Sequence, residues 1–480
     1  MSDSQSQLPL FQVLLKHAGL DASSFHVPGH KNGMIFSNEG YDVFKSILPY
    51  DLTEITGLDD LHHPESAIKE AQELTAQLYG VESTFFLVGG TTAGNLAMIL
   101  SVCEPEDCII VQRNCHKSIM NAIELAGAKP VFISPVYEEQ TGRYSRINAS
   151  TVYEALAAYP HAKALVLTYP DYFGHTYNIQ PMIEAAHQYQ LPVLVDEAHG
   201  AHFILGDPFP PSSVSLGADI VVHSAHKMLP AMTMSSFLHF QSALVSKDKI
   251  RHYLQMVQSS SPSYPLMASL DLARHFLAHI DEAQIKQMIA HAHQIRSMLD
   301  ESPLWDVVPV YNQVDDPLKI TLQIHPDLEA QKVLHTFEQH MVYPELATTS
   351  QLLLISGLGM NERDLQRIPH VVNNFDHQLK RVKGHGKIEV TAVQPPEISE
   401  FPYSLRNLQE MDNMWVAWEH AIGKPAGEMI IPYPPGIPLL IKGERIERWH
   451  KEVIMPRLKA GQHIQSESND LQKGLRTFVE

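Results

Sequence analysis

Cysteine is scarce in this sequence: Cys103, Cys108 and Cys115 are the only three among 480 residues, an odd number with no Cys-x-x-Cys pair. That speaks against a disulfide framework and gives no support to a zinc ribbon, leaving reduced thiols as the plain expectation. Long apolar runs are missing as well. The most apolar stretch, Phe85 to Leu100, is interrupted by Gly89, Gly90, Thr91, Thr92, Gly94 and Asn95, far short of the ~18 uninterrupted residues a membrane helix needs. The opening MSDSQSQLPL lacks the basic start and apolar core of a secretory leader, so a cytoplasmic protein with no membrane partner is expected. Positive charge is in deficit, with 35 Lys and Arg against 54 Asp and Glu and a formal net charge of −19. Nucleic acid needs a basic footprint, so no nucleic-acid partner is expected. The acidity keeps the chain soluble and favours the approach of cationic ligands.

What is present is an alternation. From about residue 66 to 245, short β-rich runs (84–88, 108–111, 163–167, 192–195 and 219–222) alternate with helical patterns, the signature of a parallel sheet flanked by helices. A helix is predicted before the first run: Ser66 caps it, Ala67, Ala71, Leu74 and Leu78 form its apolar face, and Gly80 ends it. A second region follows a helical connection over 271–300. There Leu318, Ile320, Leu322 and Ile324 alternate as a strand, and Ala330, Val333, Leu334 and Phe337 follow helical spacing. Another strand at 352–355 precedes a helix carrying Leu365, Ile368, Val372 and Phe375. Gly, Pro and charge around 384–400 predict a linker, and a final domain carries Ile431-Pro-Tyr-Pro-Pro-Gly-Ile-Pro438. A chain of this length is expected to hold more than one core. The division expected is an N-terminal arm at 1–20, a large domain at 21–300, a small α/β domain at 301–385 and a C-terminal domain at 386–480.

Three elements at predicted strand ends carry chemistry, because ligands of α/β sheets gather there. Gly89-Gly90-Thr91-Thr92-Ala93-Gly94-Asn95 lies between a strand and a helix, where free N–H groups and hydroxyls suit a phosphate. A tight turn with a threonine cap explains the same residues equally well. Val195-Asp196-Glu197-Ala198-His199 ends a strand on an aspartate that stays ionised only beside a cation or strong donors. His223-Ser224-Ala225-His226-Lys227 places a lysine in a crowded loop, where a lowered pKa makes it a nucleophile toward an aldehyde. Most lysines are solvated surface charges; the other two elements are what single this one out. Asp196-Glu-Ala-His199 also spells a helicase box, but there is no Walker A loop to go with it. The His199-x-x-His202 spacing with Glu197 is weak evidence for a metal, and none is expected.

The order phosphate loop, aspartate, lysine resembles that of the fold-type-I pyridoxal-phosphate enzymes. More closely, Phe25-His-Val-Pro-Gly-His30, Gly57-Leu-Asp-Asp-Leu-His62, Gly90-Thr-Thr92, Arg113-Asn-Cys-His-Lys-Ser118, Val195-Asp-Glu-Ala-His-Gly-Ala-His202, Ser224-Ala-His-Lys227 and Tyr433-Pro-Pro-Gly-Ile-Pro438 resemble the arginine/lysine/ornithine decarboxylase family, in its shorter form without an N-terminal wing domain. The resemblance implies an α/β, aminotransferase-like large domain with a mainly parallel sheet, a small α/β domain and a C-terminal domain. It implies pyridoxal 5'-phosphate as cofactor. Lys227 would hold the cofactor's aldehyde, Asp196 pair with its ring nitrogen and His116 stack on the ring; these are the expected catalytic residues. Thr91, Thr92, Ser224 and His226 would hold the phosphate, with Ser260 reaching it across a homodimer interface. Ala198 would line the other ring face and His199 lie near the phenolic oxygen. Met228 stands where the family's usual pattern has threonine. The implied reaction is α-decarboxylation of a basic amino acid, arginine first and lysine second. Glu54 and Asp51, in the acidic segment that also holds Asp59 and Asp60, are the expected partners of the substrate's distal cation, although a loop that caps helices is the competing explanation. An aminotransferase and a non-catalytic cofactor-binding regulator are the rival readings.

Overall fold

The strand-forming runs at the centre of the chain are apolar on both faces, so they can be buried only between two layers. In a computed structural model describing residues 3–378, 395–401, 403–432, 436–459 and 461–479, they form one eight-stranded sheet. In chain order its strands are β1 Ser83–Leu87, β2 Cys108–Gln112, β3 Lys129–Ile133, β4 Leu165–Thr168, β5 Val193–Asp196, β6 Ile220–His223 and β7 Ser236–Phe240. Alternate residues serve opposite layers: Val193 and Val195 join one core, and Leu194 between them joins the other. The spatial order is β1-β7-β6-β5-β4-β2-β3 and then Ile398–Glu400. The strands from β6 across to β3 run parallel, while β7 and Ile398–Glu400 run antiparallel to their neighbours.

The first helix on the N-terminal side, α1 (Pro9–Ala18), buries Leu10 and Leu14 in the same core as β5. Asp271 accepts from the N–H groups of Leu10 and Phe11 and pairs with Arg274, fixing that helix onto the helix Tyr264–Ala278. The helix predicted after Ser66, α2 (Ala67–Tyr79), ends on Gly80 in the left-handed conformation as the sequence implies. Its cap differs. Ser66 makes no side-chain cap; Asp59 accepts from the N–H groups of Glu65, Ser66 and Ile68 at 2.9 Å each. Burial opposes the Asp59 charge, but these backbone donors outweigh it and hold its carboxyl below the usual range.

The second region forms a four-stranded antiparallel sheet from β8 Trp305–Val307, β9 Lys319–Ile324, β10 Leu346–Ala347 and β11 Gln351–Ile355. It packs against Ala330–Gln339, Glu362–Gln378 and the end of Glu282–Leu299, around Trp305, Phe337 and Val371. The Phe375 side chain lies outside the described residues. So does most of the predicted linker, including Gly384-His-Gly-Lys387. Its last residues correct the expectation: Ile398–Glu400 pair with β3 as the eighth strand, because apolar Ile398 extends that edge. Beyond it, Trp418, Ile430, Leu440, Ile446, Ile454 and Leu475 form a separate apolar cluster. A buried Arg113–Glu444 pair at 2.6 Å ties this cluster's loops to the end of β2, where Lys117 N–H also donates to Gly436 O at 3.1 Å. Tyr433, Pro434 and Pro435 of the proline-rich motif lie outside the described residues.

Candidate active site

The site forms where β5 and β6 end and where α3 (Gly90–Val102) begins. Gly94 lets α3 lie directly on the sheet, since an added Cβ would come within 2.6 Å of Val222 Cγ1. This close approach delivers the start of α3 to the strand ends. Gly90 opens the helix at φ +72, its N–H bound to Met234 O. Thr91 Oγ1 lies 2.6 Å from Ser224 Oγ and 3.3 Å from Ser236 Oγ, and Thr92 is exposed on the same turn. His226 Nδ1 lies 3.0 Å from Ser235 O, an acceptor, so its ring proton sits on Nδ1. Burial lowers the His226 pKa, Lys227 adds to this, and the Ser235 carbonyl opposes it.

Asp196 is buried at the end of β5. Its carboxylate accepts from Asn95 Nδ2 at 2.9 Å and from Ala198 N–H at 3.2 Å, and no ion pair reaches it among the described residues. Asn95 Nδ2 also donates to Ser118 Oγ at 2.8 Å, which lies 2.8 Å from His116 Nδ1. The backbone N–H of Ser118 donates to that same Nδ1, so neutral His116 carries its proton on Nε2. Burial lowers the His116 pKa first, Asp196 opposes, and Lys227 and Lys117 lower it further. The chain Asp196–Asn95–Ser118–His116 thus fixes two of the expected catalytic side chains relative to one another.

Lys227 follows β6 on the short helix Ala225–Met228, and its Nζ lies 3.1 Å from His199 Nε2. Burial pulls the Lys227 pKa down, against the attraction of Asp196 and Glu345. His199 is stacked edge-on against Tyr172, ring centroids 4.3 Å apart, and Tyr172 donates to Glu345 at 2.5 Å. On its other side His199 Nδ1 meets Lys319 Nζ at 2.9 Å. Burial followed by Lys227, Lys319, His116 and His202 keeps the His199 pKa well below its ordinary value. Met228 is buried in the apolar core beside Leu229, which leaves it no polar role at the site.

The structure thus brings Thr91, Thr92, His116, Asp196, Ala198, His199, Ser224, His226 and Lys227 into one region. It does not bring Asp51, Glu54 or Ser260 to Lys227 within the chain. Asp51 pairs with His30 at 3.2 Å, Glu54 is exposed and accepts from Thr53, and Ser260 is exposed next to Ser259, whose carbonyl meets His62. Asp59, in the same acidic segment, is the cap described above. His199 and His202 diverge, the latter pairing with buried Asp316 at 3.1 Å. Sequence reasoning gave no role to Asn95, Tyr172, Lys319 or Glu345. Asn95 stood in the phosphate-loop motif. Lys319 occupied the polar phase of an alternating strand, where solvent was the natural reading, yet it is only 2% exposed.

Comparison with known proteins decides what this geometry belongs to. The profile of the Orn/Lys/Arg decarboxylase major domain matches residues 8–363, and that of the Orn/Lys/Arg decarboxylase C-terminal domain matches 404–467. The chain belongs to the Orn/Lys/Arg decarboxylase family. Among its relatives, protein YaaO of Bacillus subtilis is 43% identical over 479 residues, covering 98% of each chain. An arginine decarboxylase of Bacillus anthracis is 34% identical, covering 99% of this chain and 98% of that one. In fold, lysine decarboxylase A from Pseudomonas aeruginosa superposes with a TM-score of 0.81 at 19% identity, over 99% of this chain and 81% of that one. A Sphingomonas wittichii serine palmitoyltransferase aligns at 0.55 and 17% identity, over 72% and 85%. The family's fold is therefore the α/β fold described above. No helix among the described residues is long and apolar enough to cross a membrane.

Proposed function

We propose that this decarboxylase acts on arginine, with lysine as its second substrate, at a site built around Lys227, Asp196 and His116. The class of reaction, pyridoxal-phosphate-dependent decarboxylation of a basic amino acid, follows from the family and from full-length relatives named arginine decarboxylase. That the named relatives are decarboxylases sets the aminotransferase and regulator readings aside. The preference for arginine rests on the names at 34–35% identity, against 24% for a lysine decarboxylase relative.

One observation carries the assignment of residues. Asp196 is a buried carboxylate with, among the described residues, two hydrogen-bond donors and no ion-pair partner, a costly arrangement that a protonated ring nitrogen would complete. Asn95 Oδ1 beside it is buried without a hydrogen-bond partner among the described residues. These features fit the cofactor, as do the paired hydroxyls of Thr91 and Ser224 at a helix start. Bound pyridoxal phosphate supplies an aldehyde that condenses with amines and a ring that accepts the electrons left when carbon dioxide departs. In this reading Thr91, Thr92, Ser224 and His226 hold its phosphate, Asp196 keeps a proton at the ring nitrogen, His116 and Ala198 line the ring faces, and His199 lies at the phenolic side. Lys227 Nζ would hold the aldehyde when the cofactor is bound, and Lys227 Nζ or His116 Nε2 would supply the proton to the substrate's α-carbon.

We further propose a cytoplasmic homodimer with shared sites. It is supported by the exposure of Glu54 and Ser260, and by Phe25, Met34 and Val43, apolar side chains 95%, 86% and 78% exposed. Incubating the protein with arginine, lysine and ornithine in turn, and identifying the amine formed, tests the substrate order. Equal or greater kcat/KM for lysine would overturn it.

A further inference from the structure

His199 is met by an amine on each ring nitrogen, Lys319 Nζ at Nδ1 and Lys227 Nζ at Nε2. The donor count is restrictive. A neutral imidazole has one N–H and one acceptor, and an ammonium has donors alone. Two ammonium groups would demand two acceptors, which the ring does not possess. An imidazolium donating to two neutral amines would place its charge in a buried site that already faces cationic neighbours. At most one of the two lysines is therefore an ammonium, and the lysine that faces the ring N–H accepts from it as a free amine.

Geometry separates them. Lys319 extends from β9; burial lowers its pKa to about 8, with Lys227 adding to this and the carboxylates of Asp316, Glu345 and Asp171 opposing it, so that it is an ammonium below that value, and its Nζ also reaches Tyr172 O at 3.5 Å. Its stem runs through a slot left by Gly174, where an added Cβ would lie 2.7 Å from Lys319 Cγ. Lys227 is faced by Asp196, Glu345, His116, His199 and Lys319, and its one hydrogen-bond partner among the described residues is His199. We propose that Lys319 is a positioning residue: its ammonium donates to His199 Nδ1, fixes the ring proton on Nε2, and so presents that N–H to Lys227, which is held as a free amine able to capture an aldehyde. Asp316 attracts the Lys319 charge without an ion-pair contact among the described residues, and is itself paired with His202 at 3.1 Å. The inference rests on the reading of Lys227 as the aldehyde-holding lysine and adds how the fold keeps that lysine unprotonated.

The test uses cofactor-free protein. Pyridoxal phosphate is added between pH 6 and 10, its capture is followed by absorbance, and borohydride reduction with peptide mapping locates the label. In Lys319→Met the pH midpoint of capture should rise by about one unit or more, which is about tenfold slower capture near neutral pH. His199→Phe should raise it as well, and Lys319→Met should add little in that background. The His199 variant keeps the inference testable if the buried Lys319 variant fails to fold. An unchanged midpoint in either variant, or an equal effect of Lys319→Met with and without His199, would overturn the proposal. Label on a lysine other than Lys227 in the unaltered protein would instead overturn the functional reading, and this inference with it.

Discussion

At the scale of single residues, the account makes Lys227 and Asp196 unequal in kind. Burial lowers the Lys227 pKa, and Lys227 is the nucleophile of the proposed function, so the protein loaded with pyridoxal phosphate should be yellow, and borohydride should fix the label on Lys227. Mapping to another lysine would refute the assignment. The role proposed for Asp196 is instead one of charge. Asp196→Ala should preserve the fold, since Asn95 and Ala198 N–H are its only donors among the described residues, while slowing decarboxylation on the order of a hundredfold or more. Near-normal turnover in a folded variant would contradict that role. His175 offers a separate test in solution. Burial lowers its pKa, but the hydrogen bonds that its ring donates to the carboxylates of Asp315 and Glu138 prevail and raise it to about 10. A raised folded-state value adds stability that is complete below the unfolded value of about 6.5 and is lost as pH climbs through about 10. The melting-temperature gap between the protein and His175→Gln should therefore be widest near pH 6 and close toward pH 10.

At the scale of elements, the sequence was most legible where periodicity and chemistry coincided. The strands at 108–112, 193–196 and 220–223 were marked by apolar runs ending in polar residues, and those ends are where the site forms. The cap of α2 was not legible. Ser66 holds the local cap position, but Asp59 reaches from seven residues upstream, a contact set by the turn between them. Asp59→Ala should cost about 1–2 kcal/mol in denaturant unfolding and Ser66→Ala much less; the reverse order would restore the local cap. Ile398–Glu400 was hidden for a related reason, being three residues after a proline-rich stretch with its partner strand far back at 131–133. Lys319 escaped because alternation assigns polar phases to solvent, whereas this strand has its polar phase against the large domain. Patterns of period two describe one strand and its two faces; they carry no information on what the second face meets.

At the scale of the molecule, Glu54 and Ser260 were expected at a site from which their own chain keeps them away. The proposed shared-site dimer reconciles the two, and mixing chains decides it. A Lys227→Ala chain combined with one altered at Ser260 and Glu54 should recover activity, because one of the two sites in the heterodimer then draws only unaltered residues from both subunits. No recovery in a confirmed heterodimer of folded chains would reject sharing. Whether this site decarboxylates a basic amino acid through Lys227 is decided by the carbon balance. With arginine as substrate, the pyridoxal-phosphate-loaded protein should release carbon dioxide and the corresponding amine in equal amounts, with no keto acid required or formed, and Lys227→Ala should release neither. Keto acid in place of carbon dioxide, or undiminished carbon dioxide from Lys227→Ala, would contradict the account.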